Sequence, residues 1–136
     1  MTDTLEQMQL NGRADPAGLR GLITSPAKIG VERLGKAVVL KPEDRLDLIG
    51  YAQLEECLYE QAELGASRIV LDLSEVTLLS SACMASLMRF WADLQGRGGS
   101  LVIARPTHLA MAYIQACSLD DLIAVCSTRE QALASV

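Results

Sequence analysis

The chain has 136 residues, half of them hydrophobic but only 4% aromatic, and a formal net charge of −5. Those values fit one domain with an aliphatic core, and the acidic balance argues against nucleic acid or anionic membrane surfaces as main partners. No apolar run approaches the roughly 18–20 residues that cross a bilayer, and the N-terminus, MTDTLEQMQLNGRADP, carries acids and no apolar signal core, so a cytoplasmic protein without direct membrane insertion is expected.

Residues 1–28 read as a weakly patterned N-terminal arm with Gly12, Pro16, Gly18, Gly21 and Pro26. Asp15-Pro16 fits a helix start, with Leu19, Leu22 and Ile23 as a small apolar face. Ile29 to Leu34 and Ala37 to Leu40 read as two short strands joined at Gly35-Lys36, a hairpin turn. The stretch 41-KPEDRLDL-48 reads as a polar loop. Residues 51–64 read as a helix with Tyr51, Leu54, Leu58 and Ala62 on one face, stopped by Gly65.

Residues 68–73, RIVLDL, have the continuous apolar character of a strand buried on both faces. A helix over 80–95 follows and ends at 96-GRGG-99. Leu101 to Ala104 is another buried strand, Pro106 breaks it, and 107–117 is helical. Leu122 to Val125 is a fifth strand, and 128–136 is a last helix with Thr128 as N-cap. Strands alternating with helices predict an α/β domain over 29–136, with a small mixed, mostly parallel sheet packed with about four helices.

The seam at 79-LSSA-82 calls for a physical account. On a helical wheel, Cys83, Met84, Leu87, Met88, Phe90, Trp91 and Leu94 form the core side, with Trp91 near its centre. Ala82, Ala85, Ser86, Arg89, Ala92 and Asp93 form the other side. That second side is smoother than solvent requires, and a row of Ala and Ser admits close approach by another protein. Ser80 is placed to cap the helix. Ser81 then lies in the first turn, where free N–H groups and the positive dipole end tolerate a phosphate. On local physics alone, the favoured reading is that both serines are ordinary caps.

Taken in order, 68-RIVLDLSEVTLLSSACMASLM-88, 94-LQGRGGSLVIARPT-107 and 118-SLDDLIAV-125 resemble the STAS domain family of sulfate transporters and anti-sigma factor antagonists. Upstream, 44-DRLDL-48 is similar to the family's loop after its second strand. The resemblance covers about residues 29–136. It implies a regulatory protein that is not an enzyme, needs no cofactor, and docks a partner. That partner would be an anti-sigma factor or serine kinase of the histidine-kinase-like ATPase type, with a phosphatase as a further partner. Ser81 matches the family's phospho-acceptor in its Asp-Ser-Ser-Gly turn, here degenerate as Leu-Ser-Ser-Ala with Leu79 and Ala82 at the flanking positions. The implied partner-binding set is Asp47, Ser80, Ser81, Ala82, Ala85, Ser86 and Arg89. A non-switching subunit of a membrane transport complex of the phospholipid-transport ATPase type, and a scaffold of a larger signalling assembly, stay open as alternatives, as does a homodimer.

Other constellations read as structural. Asp47 fits a loop cap as well as a partner contact. The acids Glu43, Asp44, Asp47, Glu55, Glu56, Glu60 and Glu63 make either a patch for a basic partner or a solvated face. The 96-GRGGS-100 turn lies between a helix and a strand, the wrong order for a phosphate-cradling loop. His108 with Ser81 lacks the sequence context of a hydrolase. Arg89 and Arg105 are candidates for partner or phosphate contacts. Cys57, Cys83, Cys117 and Cys126 show no C-x-x-C spacing, and with one histidine neither a metal site nor a disulfide is expected.

Overall fold

The computed structural model describes residues 28–136, so the expected arm, Lys28 apart, lies outside the described residues. Strands β1 (Ile29–Leu34) and β2 (Ala37–Leu46) form the expected hairpin, with Leu34 opposite Ala37. Gly35 at the turn has φ +69, a conformation that glycine adopts without penalty. Helix α1 (Leu48–Glu63), β3 (Arg68–Asp72), β4 (Glu75–Leu79) and helix α2 (Ser81–Gly96) follow. Then come β5 (Ser100–Ala104), helix α3 (His108–Ala116), a 3-10 turn (Leu119–Asp121), β6 (Ala124–Cys126) and helix α4 (Arg129–Ser135).

The sheet order is β1-β2-β3-β5-β6, with β4 paired to β2 outside that path. Only β1–β2 is antiparallel; β2–β3, β3–β5, β5–β6 and β2–β4 are parallel. The apolar strands β3 and β5 lie centrally because they can bury both faces. Val38, Leu40, Ile69, Leu71, Leu101 and Ile103 meet Leu54, Leu58, Leu87, Phe90 and Ile114 of helices α1, α2 and α3 on one side. Val39, Val70, Val102 and Ala104 meet Ala132 of α4 on the other. Full burial of each such aliphatic side chain is worth about 1.5–3 kcal/mol.

Four departures from the sequence reading shape the site. Residues 41–46 of the expected polar loop 41–48 are the second half of β2, whose residues 43–46 pair with β4 through a register shift at Asp44/Arg45. Asp44 has φ +71 at that shift, which lets the strand bulge. The run 76-VTLL-79, left without an element, belongs to β4. Helix α1 begins three residues before the expected Tyr51, at Leu48. The fifth expected strand shifts from 122–125 to Ala124–Cys126, because Leu119–Asp121 winds into a 3-10 turn that buries Leu119 and Ile123.

Candidate functional site

Cross-strand partners Leu46 and Leu79 end β2 and β4 side by side. The next residues, Asp47 and Ser80, are both N-caps. The Asp47 carboxylate accepts from the Gly50 amide at 2.9 Å, and the Ser80 hydroxyl accepts from the Cys83 amide at 3.2 Å. The Ser80 amide donates to the Leu46 carbonyl at 3.2 Å, which ties the two helix starts together. Two parallel helices therefore present their positive ends at one edge of the molecule. Their far halves are pinned by Tyr59, whose hydroxyl donates to Asp93 at 2.7 Å and whose ring meets Phe90 edge-on at 4.9 Å between centroids.

Ser81 is exposed in the first turn of α2, and Ala82 and Ala85 are exposed beside it. Ser80 is only half-buried, but its hydroxyl is engaged as the cap. Asp47 is likewise engaged, with the Gly50 amide as the chief cause holding its carboxyl below the ordinary range, aided by Arg45 at 3.3 Å. Asp47, Ser80, Ser81, Ala82 and Ala85 thus lie together at the paired helix starts. Ser86 does not share that open face. It is 8% exposed between α1 and α2 and accepts from the Arg89 guanidinium at 2.7 Å. The Tyr51 hydroxyl is buried close to Ser86 without hydrogen-bond geometry among the described residues, and burial pushes its pKa strongly up. Ser86 therefore holds Arg89, which itself is exposed.

Trp91 also departs from expectation. It is half-buried and packs against the margin of the core, while Phe90 and Leu87 fill the centre. Beneath the serines, burial pushes the Cys83 thiol up to about 12, so it stays neutral. Arg105 is engaged by Asp72. The Arg105 backbone has φ +51 and its guanidinium meets the fully buried Asp72 carboxylate at 2.6 Å. His108 is the exposed first residue of α3, behind the Thr107 N-cap.

The sequence reading missed Leu48 and Ile49. They are 71% and 44% exposed in the first turn of α1, next to the serine turn. The signal was present in 46-LDLIG-50, where two aliphatic residues follow a capping Asp. The assembled surface is small and apolar, with two dipole ends and the fixed Arg89 cation at its margin. It holds an exposed hydroxyl at Ser81, and such a surface suits protein docking.

A family model described as "Mlab, STAS domain" matches residues 29–124. No curated protein matches the sequence. Among solved structures, an anti-sigma factor antagonist from Mycobacterium paratuberculosis is 21% identical, with 81% of this chain and 93% of that chain covered and a TM-score of 0.74. An anti-sigma-factor antagonist (STAS) domain protein from Planctomyces limnophilus is 18% identical over 82% of this chain and 98% of that one, with a TM-score of 0.70. The Bacillus cell fate determinant SpoIIAA in its phosphorylated form is 16% identical over 79% of this chain and 98% of that one, with a TM-score of 0.63. At these identities the likeness establishes the fold.

Proposed function

Because the chain belongs to the STAS domain family, we propose that it is a regulatory protein-binding domain of the anti-sigma factor antagonist type. It acts by docking rather than catalysis, in the cytoplasm, on an anti-sigma factor or serine kinase of the histidine-kinase-like ATPase type. The observation that carries this reading is the exposed Ser81 in the first turn of α2, flanked by Ala82, Ala85 and the exposed Leu48 and Ile49. SpoIIAA, an anti-sigma factor antagonist of the same fold, is known in unphosphorylated and phosphorylated forms. That supports Ser81 as the modified residue, with a phosphatase to reverse it. A phosphate adds about −1.5 to −2 charge, tolerated by the helix end yet repelled by an apolar or acidic partner surface.

A second reading has its own observation. Where the family's turn carries a carboxylate, this chain has Leu79, which is 1% exposed and belongs to the core. No acid therefore flanks Ser81 at that position, which favours a non-switching subunit of a membrane transport complex. Both readings use the same face.

The test is calorimetric affinity for the purified partner, with phosphorylation assayed in parallel. Ala85→Glu and Ser81→Asp are expected to weaken binding by roughly ten- to a hundredfold, at 1.4 kcal/mol per tenfold. Ser81→Ala is expected to bind like the parent. Parental affinity in both acidic variants would place the interface elsewhere. Weakened binding without phosphorylation of the parent selects the non-switching reading.

A further inference from the structure

We propose that the open edge of β1 pairs with β1 of a second copy of this chain, antiparallel and across a two-fold axis at Val31, so that two sheets join into one. β1 ends the strand order, and β2 is its only strand partner among the described residues. The β1–β2 ladder fixes which backbone groups are left over. In an antiparallel pair, alternate residues turn both their N–H and C=O groups to the neighbouring strand. The Lys28 carbonyl accepts from the Glu43 amide at 2.8 Å, so Lys28, Gly30, Glu32 and Leu34 are the residues that face β2. Pro42, which has no N–H to give, lies opposite Ile29 in the other phase. Ile29, Val31 and Arg33 therefore turn their N–H and C=O groups to the open edge. Strand edges are commonly guarded by charged side chains. Both charges of β1 are instead bonded back onto their own chain: Arg33 donates to Gln61 of α1 at 2.6 Å, and Glu32 meets Arg129 of α4 at 2.8 Å. Between and beside them, Val31 is 45% and Leu34 44% exposed.

The occupant is a second copy because the strand, IGVERL, is complementary to itself in one register. With the axis at Val31, Val31 meets its own counterpart, Ile29 meets Arg33, Gly30 meets Glu32 and Lys28 meets Leu34. No like charges are opposed, and Gly30 leaves room for the Glu32–Arg129 ion pair of the other copy. An axis at Glu32 would oppose two carboxylates, and an axis at Gly30 would centre the contact on two residues without side chains. In the Val31 register, Ile29, Val31 and Arg33 of the two copies exchange roughly six hydrogen bonds. Ile29 packs on the core beneath α1, so the Val31 pair adds its apolar contact on that face, and Leu34 covers the stem of Lys28 on the other. The opposite end of the sheet offers no comparable strand, since β6 spans only Ala124–Cys126. One strand pair is a small contact, of the weak class below about 1,200 Å². The axis reverses the strands, so the dimer carries its two Ser81 turns at opposite ends of the joined sheet.

The experiment is sedimentation velocity on the full chain from micromolar to millimolar concentration. The parent is expected to pass from monomer to dimer. Val31→Pro removes an N–H that faces the open edge, so the chain's own ladder is kept. The two-fold doubles the loss, and the dimer is expected to weaken roughly ten- to a hundredfold. Val31→Lys sets two like charges at the axis and is expected to weaken it comparably; this variant decides alone where Val31→Pro does not fold. Val31→Cys under mild oxidation is expected to give a disulfide between the two position-31 thiols, mapped by mass spectrometry. A parent that stays monomeric throughout overturns the proposal. So does a dimer of parental strength in Val31→Lys, which would put the contact on another surface such as Leu109 and Tyr113, and so does the absence of the position-31 disulfide. Ser81→Asp is expected to dimerise like the parent, so this proposal and the docking reading fail separately.

Discussion

Gly50 lies in the first turn of α1, where an added Cβ would run into the carbonyl oxygen of Arg45. That close approach lets the helix start directly above the bulged end of β2. Gly50→Ala gains helix propensity, worth about 1 kcal/mol, but must push the helix off the strand, and overpacking costs about 1–3 kcal/mol. The expected net result is a lower urea midpoint, and a raised midpoint would show that the helix start moves freely. The two caps are more predictable. Ser80→Ala and Asp47→Ala are each expected to cost about 1 kcal/mol by the same measurement. They differ in pH dependence. The Asp47 carboxyl is held below its usual range by the Gly50 amide, so its contribution is full above the unfolded carboxylate range and fades as pH falls through the lowered folded value. Ser80 has no such dependence. If Asp47→Ala loses as much stability at pH 3 as at pH 7, its carboxylate is not the capping group.

Asp72 brings the charges of several elements to one buried carboxylate. Its carboxylate, fully buried at the end of β3, meets Arg105 after β5 at 2.6 Å and Arg129 at the start of α4 at 3.8 Å, while Arg129 meets Glu32 of β1 at 2.8 Å. Burial drives the Asp72 carboxyl up, but hydrogen bonds from Arg105 and the Ser74 amide outweigh it and leave the pKa lowered. The parent's share of stability from this group is therefore present above the ordinary carboxylate range and lost as pH falls below it. Arg105→Ala is expected to cost about 1–3 kcal/mol at pH 7, below the fully buried case because Arg105 is 42% exposed. In the variant burial dominates and the Asp72 pKa rises, so protonation relieves the folded state. The gap to the parent should narrow between pH 7 and pH 4, and a gap constant with pH would show that the pair is not electrostatically coupled. Along α2, Phe90→Ala is expected to cost about 3–5 kcal/mol, and Trp91→Ala clearly less, because Trp91 is half-buried. The sequence made β3, β5 and the capped start of α2 readable, since continuous apolar runs and a Ser before an apolar helix each have one physical use. It hid the second half of β2, because 41-KPEDRL-46 alternates poorly: only Pro42 and Leu46 of it are buried. Ser86 and Trp91 were misplaced for one reason. A wheel sorts polar from apolar, whereas Tyr51 of the neighbouring α1 and Arg89 of α2 itself surround the Ser86 hydroxyl, and the indole is left at the margin. Asp72 was passed over inside an apolar run because its partner lies 33 residues away.

At the scale of the whole molecule, the core and the proposed docking face occupy different residues. Both core clusters are built from residues between Val38 and Ala132, on the two faces of one sheet. Two of the exposed apolar residues, Leu48 and Ile49, lie at the paired helix starts. This separation predicts that a fragment of residues 28–136 folds by itself. Its edge strand β1 keeps its six paired positions with β2, and the Lys28–Glu43 contact lies within the fragment. Urea melts followed by far-ultraviolet circular dichroism should therefore give one cooperative transition for the fragment. A fragment that melts without cooperativity would show that the sheet from β1 to β6 is incomplete as a folding unit. A fragment that folds with its partner affinity intact would locate the docking surface wholly within residues 28–136, as the proposed face at Ser81, Leu48 and Ile49 requires.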